Sequence, residues 1–435
     1  MSSETVSLAD CARVIIDNRG KTCPVGDEGI PLIATNCLRD GALYPTYETE
    51  RFVSKQTYET WFRGHPEPGD IIFVTKGSPG RVALAPDPVD FCIAQDMVAV
   101  RANDKVVYPR FLFAMLKSDT TQKAIEDLHV GTMIPHFKKG DFDKLRFSIP
   151  SMKEQIKIGD LHFELCDRID NLRATNATLE AIAQAIFKSW FIDFDPVRAK
   201  MEGREPEGMD AETAALFPSE FEESELGLIP RGWRVQPIGE LTEIVGGSTP
   251  DTKNEDYWAP GVFHWTSPKD LSGATAPVLI DTERLVSEAG LTKISSGLLP
   301  PETLLLSSRA PIGYLSLSKI PVAINQGYIA MLPGGTLPTV YLYFWTQANM
   351  EVIKDRSNGS TFMEISKKMF RPIPALVPPL AVAGRFAGVA EGFFDRITAN
   401  QRQAHHLSDL RDLLLPRLIS GKISIGAAGA ALEAA

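Results

Sequence analysis

A chain of 435 residues with 44% hydrophobic and 23% charged side chains has room for two or three cored domains, which excludes a disordered or fibrous class. No apolar run is long enough to span a bilayer, and Met1-Ser2-Ser3-Glu4 lacks the basic and apolar stretches of an export signal, so a cytoplasmic protein is expected. The net charge of −10 argues against a broadly basic surface, but residues 200–227 alone carry −7 of it, so the remainder is nearly neutral.

In chain order, residues 1–150 read as mixed α/β. Ile71 to Val74 and Arg81 to Ala85 are apolar runs around Lys76-Gly77-Ser78-Pro79-Gly80, the pattern of a hairpin. Ile93-Ala94-Gln95-Asp96 follows, then a helix from about Pro109 to Leu128, then a polar loop opening at Gly131. From Leu165 to Trp190 the residues Leu165, Ile169, Leu172, Asn176, Leu179, Ala183 and Ile186 step by four and three, the seam of a paired long helix. The acidic stretch to Gly227 reads as a linker or long loop. The second half then repeats the order. A hairpin spans Thr303 to Leu317, Ile324-Asn325-Gln326-Gly327 follows, a helix runs from about Val340 to Arg356, and a polar loop opens at Gly359.

The repeat is explicit in the residues. Shifting 131–190 by 228 places it on 359–418 without a gap. Gly131, Lys139, Phe142, Pro150, Asp167-Arg168-Ile169 and Leu179 meet identical residues at Gly359, Lys367, Phe370, Pro378, Asp395-Arg396-Ile397 and Leu407. The second seam is Phe393, Ile397, Asn400, Ala404, Leu407, Arg411, Leu414 and Leu418. Each helix would run about 40 residues, roughly 60 Å. The two seams are expected to bury against each other; the alternative is that each packs on its own globular half. A chain with two similar halves carries two similar surfaces, which suits a bipartite target.

Several chemistries lack their residues. The five cysteines, 11, 23, 37, 92 and 166, form no CxxC pair and read as reduced, buried thiols. Pro300-Pro301 and Pro378-Pro379 are followed by Glu302 and Leu380, not by the aromatic residue of an adenine-methyltransferase pocket. Ser420-Gly421-Lys422-Ile423 lacks the first glycine and the hydroxyl of a P-loop. His405-His406, adjacent on a helix, diverge too far to share a metal ion. Gly246-Gly247-Ser248-Thr249 is a possible phosphate cradle or a plain turn. No metal and no catalytic constellation is expected.

These residues resemble the specificity (S) subunit of type I restriction-modification systems. Trp190-Phe191-Ile192-Asp193-Phe194-Asp195-Pro196-Val197-Arg198-Ala199-Lys200 is similar to that family's central conserved region, as are Leu216-Phe217-Pro218 and residues 225–233, ending Pro230-Arg231-Gly232-Trp233. Residues 413–423 are similar to its C-terminal ending. The resemblance implies an α+β fold: two α/β target-recognition domains related by pseudo-two-fold symmetry, separated by two long antiparallel helices as a coiled-coil spacer. The expected domains are 1–150 and 233–378 for recognition, 151–195 and 379–422 for the helices, 196–232 for the acidic linker and 423–435 for a flexible Ala/Gly tail.

The resemblance further implies a non-catalytic subunit that reads a split, asymmetric double-stranded DNA site. Two modification subunits would carry S-adenosylmethionine and methylate adenine N6, and restriction subunits would use ATP and Mg. This chain would bind no cofactor. A methyltransferase in its own right and a protein-binding adaptor are the competing readings. Base edges are read by side chains that bond in the major groove, and loops carry such groups without cost to a core. The candidates are Lys76, Ser78, Arg81, His136, Lys138 and Lys139 in the first half, and Lys253, Asn254, Arg309, Tyr314, Lys367 and Lys368 in the second. Two rigidly held domains can read patches of one DNA face about one helical turn, roughly 34 Å, apart. If the helices act as the ruler, lengthening both by one turn is expected to lengthen the unread gap in a methylation-mapped site while both half-sites stay unchanged.

Overall fold

Apolar strands that alternate with apolar-all-round helices must be covered on both faces. The chain meets that demand twice. The computed structural model describes residues 4–18, 21–39, 41–47, 51–129, 131, 135–358, 363–424 and 426. Most of the loop residues after Gly131, the loop residues 359–362 and nearly all of the 423–435 tail therefore lie outside the described residues. The fold divides into two units, Met1–Asn171 with Gln403–Ala435, and Leu172–Arg402. The division falls within the two long helices, whereas the sequence pattern divides the chain at their ends.

In the first unit, Ala12–Asp17, Met97–Ala102, Ile71–Val74 and Val82–Leu84 form an antiparallel four-stranded sheet in that order. A three-stranded sheet sets Ile30–Ile33 between Phe52–Val53, antiparallel, and Cys92–Ile93, parallel. Glu4–Ser7 pairs with Arg146–Ile149. The second unit repeats this plan. Ile244–Val245, Tyr328–Met331, Leu304–Ser308 and Ile312–Ser318 form the matching sheet, extended at its edge by Val278–Leu279. Phe263–Thr266 lies between Arg284–Val286, antiparallel, and Ala323–Ile324, parallel. Arg234–Pro237 pairs with Pro374–Val377.

The helix expected over 109–128 is two helices, Pro109–Lys117 and Asp119–Leu128, broken at Ser118. Ser118 ends one helix and caps the next, its hydroxyl accepting from Thr121 N at 3.4 Å. The copy breaks likewise into Thr339–Ala348 and Met350–Asp355 at Asn349, whose side chain donates to the Trp345 carbonyl at 2.8 Å. The first helix of each pair is buried all round, through Phe111–Leu116 and Val340–Thr346. Gly159 lets the long helix pass close to the first of them, since an added Cβ would stand 2.6 Å from Phe111 N.

The long helices are Met152–Phe191 and Leu380–Ile419. Within the second unit Asn176 meets Asn400, and Phe187 meets Phe386 at 5.5 Å between ring centroids. One number rises as its partner falls, so the helices run antiparallel there. Within the first unit Cys166 meets Arg411. Leu165, Ile169, Leu172, Asn176, Ile397, Asn400, Leu414 and Leu418 are buried, while Leu179, Ile186, Phe393 and Leu407 are half-buried. Phe187 and Phe394, one position later, are buried instead of Ile186 and Phe393. A 3.6-residue helix drifts from a 3.5-residue seam, and here the drift turns toward the sheet-covering helix of the same unit.

The acidic stretch is not an open linker. It holds the helices Asp195–Met201 and Ala211–Ala215 and the hairpin Phe221–Ser224 with Gly227–Pro230. Val197, Phe217, Ile229 and Trp233 are buried with Trp190 and Phe191. Trp190 meets Phe217 edge-on at 5.3 Å, and Phe194 meets Trp233 at 5.9 Å. The apolar residues spaced through the run anchor it, and most of its acids remain exposed. The turn starts at Phe194, whose left-handed φ of 57° redirects the chain after the long helix.

Asn400 Nδ2 donates to Asn176 Oδ1 at 2.9 Å in a buried setting, and among the described residues Asn176 Nδ2 has no partner. Asn400→Ala should strand the Asn176 carbonyl and cost about 1–3 kcal/mol in denaturant unfolding, while the double replacement by leucine should recover wild-type stability or exceed it.

His162 is buried between Phe113 and Cys166. Burial, with Lys117 and Arg411 nearby, pushes its pKa down to about 3. The native state thus holds a neutral imidazole, whose stability contribution is complete above the ordinary pKa near 6.5 and is lost as pH falls toward 3. Relative to His162→Leu, the wild type should lose about 1.4 kcal/mol per pH unit between about pH 6 and pH 3 in urea titrations.

Candidate nucleic-acid interface

Where the central strands of each sheet end, their backbone groups need partners. In the first unit Ile71–Val74 runs out into the turn 75–81, where Gly77 and Gly80 take φ of 90° and 92°, a region only glycine enters without strain. Thr75 N donates to the Asp96 carbonyl at 2.9 Å, and the Thr75 hydroxyl to the same oxygen at 3.0 Å. On the other side, Phe137 N donates to Thr75 O at 2.8 Å and Gly77 N to Pro135 O at 2.9 Å, with Lys76 opposite His136. Phe137 anchors this segment by stacking on buried Phe142 at 5.5 Å. Three distant segments, 75–77, 94–96 and 135–137, thus meet at one corner.

The second unit builds the same corner. Ser308 N donates to the Gly327 carbonyl at 2.8 Å, Ile365 N donates to Ser308 O at 3.0 Å, and Arg309 lies opposite Glu364. Glu364 is His136 shifted by 228, so the repeat read from sequence is a repeat of pairing. Buried Ile365 and Phe370 take the places of Phe137 and Phe142.

The corner gathers several of the candidate residues. Lys76, Ser78 and Lys138 are exposed at the first, and His136 and Arg81 are half-exposed. Ser78 and Arg81 also line a cleft of about 670 Å³ behind the hairpin, with Lys117 and Arg411. Lys139 is exposed but pairs with Asp17 at 3.0 Å. At the second corner Arg309 faces Glu364 at 3.8 Å, which offsets its charge. Lys367 and Lys368 are exposed on the short helix Lys367–Phe370. Lys367 Nζ lies over Gly246, where an added Cβ would stand 3.1 Å from it.

Three candidates stand apart. Tyr314 is half-buried against the cluster of Leu271, Leu279 and Tyr328. Lys253 is exposed and Asn254 half-exposed at the far end of the loop that leaves the corner at Gly246. Asn254 is engaged, its carbonyl accepting from Asp256 N at 3.1 Å to cap the turn Glu255–Tyr257. The Gly246–Thr249 stretch is held by the protein itself: Ser248 N donates to Ile324 O at 3.1 Å, and an added Cβ on Gly247 would collide with that oxygen.

The candidate set omits Gln95 and Gln326, both exposed at the corners. The alignment of Ile93–Asp96 with Ile324–Gly327 places them in register, and that signal points to them. Among the described residues, no group of three or more His, Cys, Asp or Glu could hold a metal ion. His405 instead pairs with Asp409 one turn on at 3.5 Å, on an exposed helix face. The five cysteines are all buried and free. No described helix is long and apolar enough to cross a membrane.

A family model described as the type I restriction modification DNA specificity domain matches residues 23–181 and again 230–410. The HindI specificity subunit of Haemophilus influenzae is 28% identical over 82% of this chain and 86% of its own length. The MjaIX specificity subunit of Methanocaldococcus jannaschii is 36% identical over 43% of this chain and 44% of its own. The fold is similar to the crystal structure of a type I restriction-modification S subunit from M. genitalium, with 17% identity, 96% of each chain covered and a TM-score of 0.55.

Proposed function

The chain belongs to the family of type I restriction-modification DNA specificity domains, and from that premise we propose that each of its two corners reads one half of a split, asymmetric DNA site. The observation that carries this reading is the duplicated corner: one backbone arrangement bearing different side chains. Lys76 faces His136 in one copy and Arg309 faces Glu364 in the other. Matching strand-end bonds with unlike side chains are what two unlike half-sites require, because base edges are told apart by the donors and acceptors presented to them.

In this reading the exposed lysines around each corner contact phosphates and set register, and the polar side chains between them specify bases. The overall charge of −10 is no obstacle, because −7 of it belongs to the segment 200–227. Two modification subunits dock on the regions of the long helices, bind S-adenosylmethionine and methylate adenine N6. Restriction subunits supply the ATP- and Mg-dependent steps. The chain itself binds no cofactor and catalyses nothing.

Methylation mapping in cells that express the chain with its modification partner should find methyladenine in both parts of one split motif. Exchanging residues 1–150 for those of a relative should rewrite one part alone; a contiguous motif, or a change in both parts, would count against the reading. Lys138→Ala should weaken binding to all sequences alike and make the salt dependence of log affinity shallower by about one unit, measured by gel shift across salt concentrations.

A further inference from the structure

We propose that Gln95 and Gln326 are base-reading residues, one in each unit, each presenting its amide to a base edge in the major groove. The inference rests on the functional reading above and names side chains that carry specificity within it.

The two residues occupy one structural position. Each sits in the short turn that leaves the parallel-paired strand of the small sheet and enters the large one. On one side of the turn, Ala94 N donates to Ile33 O at 2.9 Å, and Asn325 N donates to Thr266 O at 3.0 Å. On the other, Asp96 O accepts from Thr75 N, and Gly327 O accepts from Ser308 N. The backbone is therefore pinned one residue before and one residue after each glutamine. The pinned neighbours Ala94, Asp96 and Asn325 are half-buried, and Gly327 is buried, while both glutamines are exposed.

Among the described residues the Gln95 side chain has no hydrogen-bond partner. Gln326 accepts a single bond, from the Thr249 hydroxyl to Oε1 at 2.7 Å. That bond orients the amide without consuming it, because the carbonyl keeps a second lone pair and both N–H donors remain. A primary amide matches the adenine major-groove edge, accepting from N6 and donating to N7. A side chain with little backbone freedom loses little entropy when it docks, which favours discrimination over general affinity. In the first unit a neighbouring cation suits the complementary contact: Lys76 follows the residue bonded to Asp96, so a phosphate contact and a base contact arise from adjoining segments.

The test maps methylation in cells expressing the full chain with its modification partner, for wild type, Gln95→Ala, Gln326→Ala, Gln95→Glu and Gln326→Glu. Each alanine variant should lower discrimination at one base position by roughly 5- to 150-fold, in a different half-site for each residue, and leave the other half intact. Each glutamate variant should move the preference at that position toward cytosine, whose N4 donates to a carboxylate. A wild-type complex that writes no split motif overturns the functional reading and this inference together. A wild-type split motif that both alanine variants leave unchanged overturns this inference alone. Loss of the whole mark in both the alanine and glutamate forms assigns the glutamines to folding or to phosphate binding, and overturns it as well.

Discussion

The strand ends of a buried sheet cannot leave their amides and carbonyls unpaired, and in this protein the partners are chain segments far away in sequence. Thr75 is satisfied by Asp96 on one side and Phe137 on the other; Ser308 is satisfied by Gly327 and Ile365. Each missing bond would leave a buried polar group at a cost of about 1–3 kcal/mol. That requirement pulls three loops into one corner. The side chains between the pinned positions then share a surface, although none is there for the sake of the core.

The same logic explains why two corners can share a frame and differ in chemistry. The frame needs only backbone bonds and a buried anchor, and Phe137 and Ile365 serve equally. Exposed positions are released from that demand. One copy holds Lys76 and His136, and the other Arg309 and Glu364. A frame indifferent to its exposed residues lets those residues change without refolding.

The long helices serve two masters. They carry a seam toward each other within each unit, and they also cover an apolar helix of that unit. The second duty draws Phe187 and Phe394 inward in place of Ile186 and Phe393. The buried Asn176–Asn400 bond trades stability for register, since sliding either helix by a turn would strand both amides. The aromatic knot of Trp190, Phe191, Phe217 and Trp233 fastens the end of the first helix to the acidic stretch.

Much of this is legible in the residues. The offset of 228 places Lys139 on Lys367, Phe142 on Phe370 and His136 on Glu364, because a duplicated fold keeps its core spacing. The hairpins and seams are legible because apolar periodicity reports burial directly. The acidic stretch reads as linker because charge dominates its composition, yet four buried side chains, Val197, Phe217, Ile229 and Trp233, decide its fate. The breaks at Ser118 and Asn349 escape a sequence pattern because each residue acts as a cap only once its neighbours are helical. Which polar residues share a corner lies beyond the reach of any local pattern. Asn254 is a cap and Tyr314 a packing residue, while Gln95 and Gln326 come to the surface beside Lys76 and Arg309. Local sequence determines which face of an element is buried; only long-range backbone pairing determines which exposed residues become neighbours.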